Sequence, residues 1–268
     1  MGRRPVSAAL QSLARRLADG AAETLWPTRC LGCERPGALL CPDCAAALPA
    51  IDQAHACPRC GAPFGSLVCT ECTDCLGRLD GELGEKPPEP RDLADSLALL
   101  DGACCYGLHE WPLDRIVRGY KDAGERRASV LLAALIAQAV GDAGEACGSG
   151  AFSAPFDGVT FVPCTPDAYA RRGFDHMEEV ARHAAAFLDL PFVDALARWA
   201  PRDQRGLTKD QRAENARASL VPVVELAGTR LLLLDDVLTT GATLGAAAGA
   251  LKLAGARRVA GATVARAW

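Results

Sequence analysis

LLLLDDVLTTGATL, residues 231–244, changes character twice within fourteen positions. A run of four leucines has no amphipathic period and suits a strand buried on both faces. Asp235 and Asp236 then mark the carboxyl end of that strand, where solvent and ligand begin. Adjacent carboxylates repel each other, and sugar hydroxyl donors or a bound cation offset the cost. Thr239, Thr240, Gly241, Ala242 and Thr243 are small enough for backbone N–H groups to approach a phosphate. The helix expected from near Leu244 aims its positive end at the same point. Acids for sugar hydroxyls and amides for a phosphoryl group specify a sugar phosphate. The plainer alternative, a helix N-cap behind two solvated aspartates, is disfavoured by the apolar strand before the pair and the helix after it.

Outward from this stretch, strand and helix alternate from Ala103 onward. DGVTFVPC is a short β-rich run, HMEEVARHAAAFLDL a helix stopped by Pro191, TLGAAAGALKLAGA a helix ended by Gly255, and RRVAGATVARA a closing strand. Such alternation predicts an α/β fold, a parallel sheet with helices on both faces, whose ligands sit beyond the carboxyl ends of the strands. FVPCTPDAYARRGFDH, residues 161–176, is a second strand–loop–helix unit in which Arg171 and Arg172 supply the charge a pyrophosphate demands. Residues 201–220 are polar, rich in basic side chains and poorly periodic, and read as a surface loop or as a lid over substrate.

Thirteen cysteines stand in 268 residues, nine of them between Cys30 and Cys75, which marks a local device. Cys30, Cys33, Cys41 and Cys44 are spaced C-x2-C-x7-C-x2-C, the pattern of two knuckles closing on one zinc. Cys57 and Cys60, followed by Cys69, Cys72 and Cys75, offer five sulfurs for a second ion. Closed four-sulfur sites leave no open position, so both ions are expected to be structural. Cys104, Cys105, Cys147 and Cys164 lack such spacing and read mostly as buried thiols, with Cys164 inside the second loop.

Val6, Leu10, Leu13 and Leu17 predict an amphipathic helix. The expected organisation is that helix (1–22), a double zinc ribbon (23–80), a Gly/Pro/acid-rich linker (81–100) and the α/β domain (101–268). A net charge of −4 excludes a surface coated for gripping nucleic acid and confines any such contact to local patches. No run approaches the roughly 18 apolar residues of a membrane span, and arginines interrupt the opening segment, so no signal or span is expected and the cytoplasm is the expected location.

The 231–244 stretch resembles the fingerprint of type I phosphoribosyltransferases, which bind 5-phosphoribosyl 1-pyrophosphate (PRPP). With two zinc ribbons ahead of it, the chain is similar to the ComF family almost throughout. Trp26-Pro27, Tyr120-Lys121, Arg171 to Phe174, and Gln211, Arg212 and Asn215 support the likeness. Asp175 and His176 depart from it, since the family usually carries asparagine and glutamine there. The resemblance implies that Asp235 and Asp236 hold the ribose, Thr239 to Thr243 the 5-phosphate and Arg171 and Arg172 the leaving pyrophosphate, with Lys121 a further cation and Mg²⁺ accompanying PRPP. It selects Cys72 and Cys75 to close the second zinc site, leaving Cys69 spare. It also implies phosphoribosyl transfer, a role in natural competence, and handling of incoming single-stranded DNA alongside other competence proteins. The competing reading is a non-catalytic accessory protein that binds nucleic acid through the ribbons and the 201–220 loop.

Overall fold

The computed structural model describes residues 28–67, 69–72, 96–146, 150–199 and 219–268. The expected helix within 1–22, Trp26-Pro27, Cys75, Cys147, the linker as far as residue 95 and the basic segment at 200–218 lie outside the described residues.

After a short helix α1 (Pro42–Ala46), the described chain runs β1 (Gly102–Leu108), α2 (Leu113–Lys121), α3 (Ala128–Ala146), β2 (Gly158–Phe161), α4 (Pro166–Arg172) and α5 (His176–Phe187). It continues through β3 (Leu196–Arg198), β4 (Leu220–Pro222), β5 (Arg230–Leu238), α6 (Ala242–Leu253) and β6 (Arg258–Arg266). Four strands form one parallel sheet in the order β1-β6-β5-β2, while β3 and β4 pair antiparallel as a separate arm.

The leucine run explains the layering. Successive strand side chains point to opposite faces, so Leu232 and Leu234 pack with α2, α3 and α5, whereas Leu231 and Leu233 pack with α6, β3 and β4. The predicted α/β sheet with helices on both faces is therefore the one observed. Residues 96–100, expected as linker, belong to the second layer, with Leu97 and Leu100 buried against α6.

The alanine-rich sequence of α6 permits close approach to that segment. At Gly245 a β-carbon would fall on the backbone carbonyl of Ser96, which no rotamer change can move. Gly245→Ala is expected to cost about 3 kcal/mol through overpacking, a fall in melting temperature of roughly 6–12 °C for a chain this size. A thermal melt of the variant checks this, and an unchanged midpoint would show that residues 96–100 do not lie on α6.

By length and composition alone, α3 is apolar enough to cross a membrane, a test that the core helix of a folded domain also passes. Alanine supplies much of its hydropathy, and half of its apolar window is buried inside the protein, where it packs against α5, β1 and β6.

Residues 49–53, between the two cysteine groups, run antiparallel to β1. Leu108 N–H donates to the Pro49 carbonyl at 2.9 Å and Ile51 N–H to the Tyr106 carbonyl at 2.8 Å. The Gln53 amide donates to the Cys105 carbonyl at 2.9 Å. The ribbon thereby covers the free edge of β1, where unpaired backbone groups would otherwise face outward.

Candidate functional site

β5 continues past its leucines. Its pairing with β2 stops at Phe161↔Leu234, whereas its pairing with β6 runs on to Leu238↔Arg266. Asp235 and Asp236 thus lie on a strand with one exposed edge, and their own carboxylates satisfy that edge: Asp236 N–H donates to Asp235 Oδ1 at 2.9 Å and Val237 N–H to Asp236 Oδ1 at 2.7 Å. Alternation places the two acids on opposite faces. Asp236 follows Leu232 and Leu234 toward α2 and α5, where Lys121 Nζ and His176 Nε2 (3.1 Å) both reach its Oδ2. Asp235 follows Leu231 and Leu233 toward the β3–β4 arm, where the Arg198 charge acts on it.

This split separates the protonation behaviour of the pair. Burial, then the adjacent Asp236 charge, pushes the Asp235 carboxyl well above the usual carboxylate range. Burial also works against ionised Asp236, but the His176 hydrogen bond and the Lys121 charge outweigh it and hold that carboxyl below its usual range. Asp236 is therefore the fixed anion, and Asp235 the carboxyl whose charge awaits a donor.

After β5, Gly241 adopts a left-handed φ of 73° and N-caps α6 with no side-chain cap. The first N–H groups of α6 are thus open to an anion, apart from a long 3.4 Å contact from Ala242 N–H to Thr240 Oγ1. Val237, Thr239, Gly241, Ala242 and Thr243 line a small recess there that adjoins Asp235. Behind it, the buried guanidinium of Arg266 donates to the Leu238 and Thr239 carbonyls at 3.1 Å each and fixes the turn. Arg266 also approaches Glu71 of the second ribbon at 3.8 Å.

A cavity of about 360 Å³ joins these parts, lined by Lys121, Arg172, His176, Arg198, both aspartates, Thr239 and Thr243, with the loop Val162–Thr165 as one wall. Thr165 caps α4, and Asp175 holds the loop in place by accepting from Cys164 N–H at 2.6 Å while capping α5 through Met177 N–H at 3.0 Å. Of the expected arginine pair only Arg172 enters the cavity, whereas Arg171 is exposed at the end of α4. Successive residues on a helix point about 100° apart, and here that rotation carries Arg171 away from the cavity that Arg172 lines. The second guanidinium belongs to Arg198, which stands across from Arg172. Both carry a buried Nε without a hydrogen-bond partner. The sequence reading assigns neither Arg198 nor His176 to the site: His176 stands out only as a departure from the family pattern and Arg198 only as a basic residue upstream of the 201–220 segment, because β3 is three residues long and nothing local shows that it delivers a cation to the exit of β5.

A second cavity, about 440 Å³, lies between the first cysteine group and α2. It is larger but chemically quieter, since its Arg115, Arg118 and Arg127 already hold Glu34, Asp114 and Glu125.

The cysteines form two tetrads, Cys30, Cys33, Cys41 and Cys44, and Cys57, Cys60, Cys69 and Cys72, each with all its sulfurs within 4.8 Å of one another. Close pairs measure 3.6 Å (Cys33–Cys41), 3.7 Å (Cys57–Cys72) and 3.5 Å (Cys60–Cys69). Four thiolates about 2.3 Å from a tetrahedral zinc stand roughly 3.8 Å apart, so both sets fit the ion. Cys69, expected to be spare, is the fourth sulfur of the second tetrad. Its spacing, C-x2-C-x8-C-x2-C, nearly repeats that of the first, and among the described residues the second pair of the motif is Cys69–Cys72, while the expected Cys75 lies outside them.

Residues 21–76 match a double zinc ribbon domain and residues 168–267 a phosphoribosyl transferase domain. A curated relative, the competence protein ComFC of Streptococcus pneumoniae (strain ATCC BAA-255 / R6), is 34% identical over 101 residues, which cover 37% of this chain and 43% of that protein. Among solved structures, the allosteric regulatory enzyme of purine biosynthesis overlays 52% of this chain and 25% of its own at 23% identity, with a TM-score of 0.33 that is too low to bear on function. A double zinc ribbon ahead of a phosphoribosyl transferase domain, with a ComFC relative that matches over part of its length, makes the chain similar to the ComF family.

Proposed function

We propose that this chain binds PRPP with Mg²⁺ and transfers its phosphoribosyl group to a nitrogen acceptor. The observation that carries the reading is the exit of β5, where two acids on opposite faces share one cavity with an uncapped helix N-terminus and two guanidinium groups with unpartnered Nε atoms. Asp235 and Asp236 accept from the ribose hydroxyls. Thr239 to Thr243 receive the 5-phosphate. Arg172 and Arg198, with Lys121 nearby, meet the pyrophosphate. The carboxylates are also the hard oxygen donors a Mg²⁺ ion requires, and the ion would neutralise part of the pyrophosphate charge. In the transfer, the C1–O bond breaks with its electron pair leaving on pyrophosphate, and the acceptor nitrogen bonds to C1. Positioning and charge neutralisation supply most of the acceleration.

Similarity to a competence protein supports a role in natural transformation, with single-stranded DNA and other competence proteins as partners. The test is pyrophosphate release from Mg·PRPP across a panel of nucleobases and single-stranded oligonucleotides. Release that depends on the acceptor supports the transferase. PRPP binding without release under any acceptor would favour the accessory reading, and no binding at all would remove the site assignment.

The two arginines give a sharper check. Arg198→Gln is expected to weaken Mg·PRPP binding about tenfold or more, the scale of a charge-assisted hydrogen bond. Arg171→Gln should change it less than about threefold, as for a solvated surface charge. Equal losses measured by calorimetry would return Arg171 to the site.

A further inference from the structure

His176 opens α5 in a position that admits little choice of orientation. Its residue is 6% exposed, Tyr120 stacks at a tilt with ring centroids 6.4 Å apart, and the Tyr120 hydroxyl donates to the His176 carbonyl at 2.5 Å. The two ring nitrogens meet different halves of the cavity. Nε2 lies 3.1 Å from Asp236 Oδ2, and Nδ1 lies 3.4 Å from Arg172 Nη1. A guanidinium only donates, so Nδ1 accepts and the ring hydrogen resides on Nε2, donating to Asp236. Asp175 Oδ1, 3.8 Å from Nδ1, is too far for a competing bond. The remaining charged groups nearby are Lys121, which shares Asp236 Oδ2, and Asp122, which holds the outer side of Arg172 at 3.3 Å.

We propose that His176 is a positioning residue that wires the pyrophosphate-side arginine to the ribose-side acid, so that the two halves of the PRPP site are oriented as one unit. This rests on the PRPP reading above. Lys121, on the last turn of α2 and about one-third exposed, is the exchangeable partner of Asp236, which ligand hydroxyls displace; His176 is the permanent one. The relay Arg172→His176→Asp236 keeps one carboxylate oxygen and one guanidinium arm aimed before ligand arrives, which reduces the ordering that binding would otherwise require.

Glutamine makes the same pair of contacts, its amide NH₂ donating to Asp236 and its carbonyl accepting from Arg172, whereas leucine fills the space and makes neither. Full-length zinc-loaded protein is titrated calorimetrically with Mg·PRPP and, separately, with ribose 5-phosphate, which carries no pyrophosphate. His176→Leu is expected to weaken Mg·PRPP about tenfold or more, and His176→Gln to stay within about threefold of the native chain. The decisive readout is Arg172→Gln, which should weaken ribose 5-phosphate in the native background although that ligand never touches the arginine, and should have no such effect in a His176→Leu background. A structural role for His176 would not produce that coupling. Should the native chain bind Mg·PRPP while His176→Leu binds it equally well, or His176→Gln fail as badly as His176→Leu, or the Arg172 effect be the same in both backgrounds, the wiring is wrong and the site stands without it. A native chain that binds neither ligand overturns the PRPP reading itself.

Discussion

The proposed site predicts that Mg·PRPP raises the melting temperature of the native chain and that changing both Asp235 and Asp236 to asparagine abolishes the rise. At one hundred times its dissociation constant a ligand stabilises the folded state by about 2.7 kcal/mol, which for a chain this size is roughly 5–11 °C. Asparagine keeps the shape of aspartate but carries no charge, so the ribose hydroxyls lose their charged acceptors while the cavity keeps its volume. The single variants separate ligand effects from folding effects, because the two acids shift in opposite directions. Asp235 is held above its unfolded value by burial and by Asp236, so at neutral pH the folded chain keeps a proton there that the unfolded chain has released, which costs stability, and Asp235→Asn should leave the unliganded melting temperature level or raised. Asp236 is held below its unfolded value, against the cost of burial, by His176 and Lys121. Its contribution is present above the unfolded pKa and is lost as pH falls through the folded one. Asp236→Asn should therefore lower the unliganded melting temperature at neutral pH, and by less in acid. A full ligand-induced shift in the double variant would remove PRPP from this site.

The leucine run was readable because it obeys no helical period, and it led directly to the acids, to the turn behind them and to the layers on either side. Apart from Lys121, which the family resemblance supplied, the partners brought from elsewhere in the chain were not readable. Arg198 reaches Asp235 from a three-residue strand. His176 reaches Asp236 only because α5 begins beside β5, and Arg266 supports the turn after β5 from the end of β6. Each pairing depends on sheet order, which local sequence does not encode. Arg171 and Arg172 look equivalent on paper, but adjacent residues on a helix face different directions, and Arg171 ends exposed outside the cavity. The second zinc set offered two C-x2-C pairs that share Cys72, and spacing alone could not choose between them; the pair Cys69–Cys72 lies across from Cys57 and Cys60 in the folded ribbon.

Removing zinc should unfold more than the ribbons. Structural zinc stabilises small peptides by about 10–16 kcal/mol, comparable with the 5–15 kcal/mol total stability of ordinary domains. A ribbon on a free linker would melt alone, leaving the sheet intact. Here residues 49–53 pair with β1, the Pro58 carbonyl accepts from Ala103 N–H at 3.3 Å, and the Arg115 guanidinium and Trp111 indole both donate to the Gly32 carbonyl. Loss of the tetrads strips the edge of β1 and exposes Cys105, fully buried beneath Gly61. A strong chelator, or Cys60→Ser combined with Cys72→Ser, is therefore expected to lower the melting temperature by more than about 15 °C in one cooperative transition. The turn after β5 should fail in the same step, because Glu71, between two sulfurs of the second tetrad, stands at 3.8 Å from the arginine that fixes the Leu238 and Thr239 carbonyls. Two separated transitions, with Mg·PRPP binding surviving the first, would instead make the ribbons an independent module and reduce their contacts with β1 to surface packing.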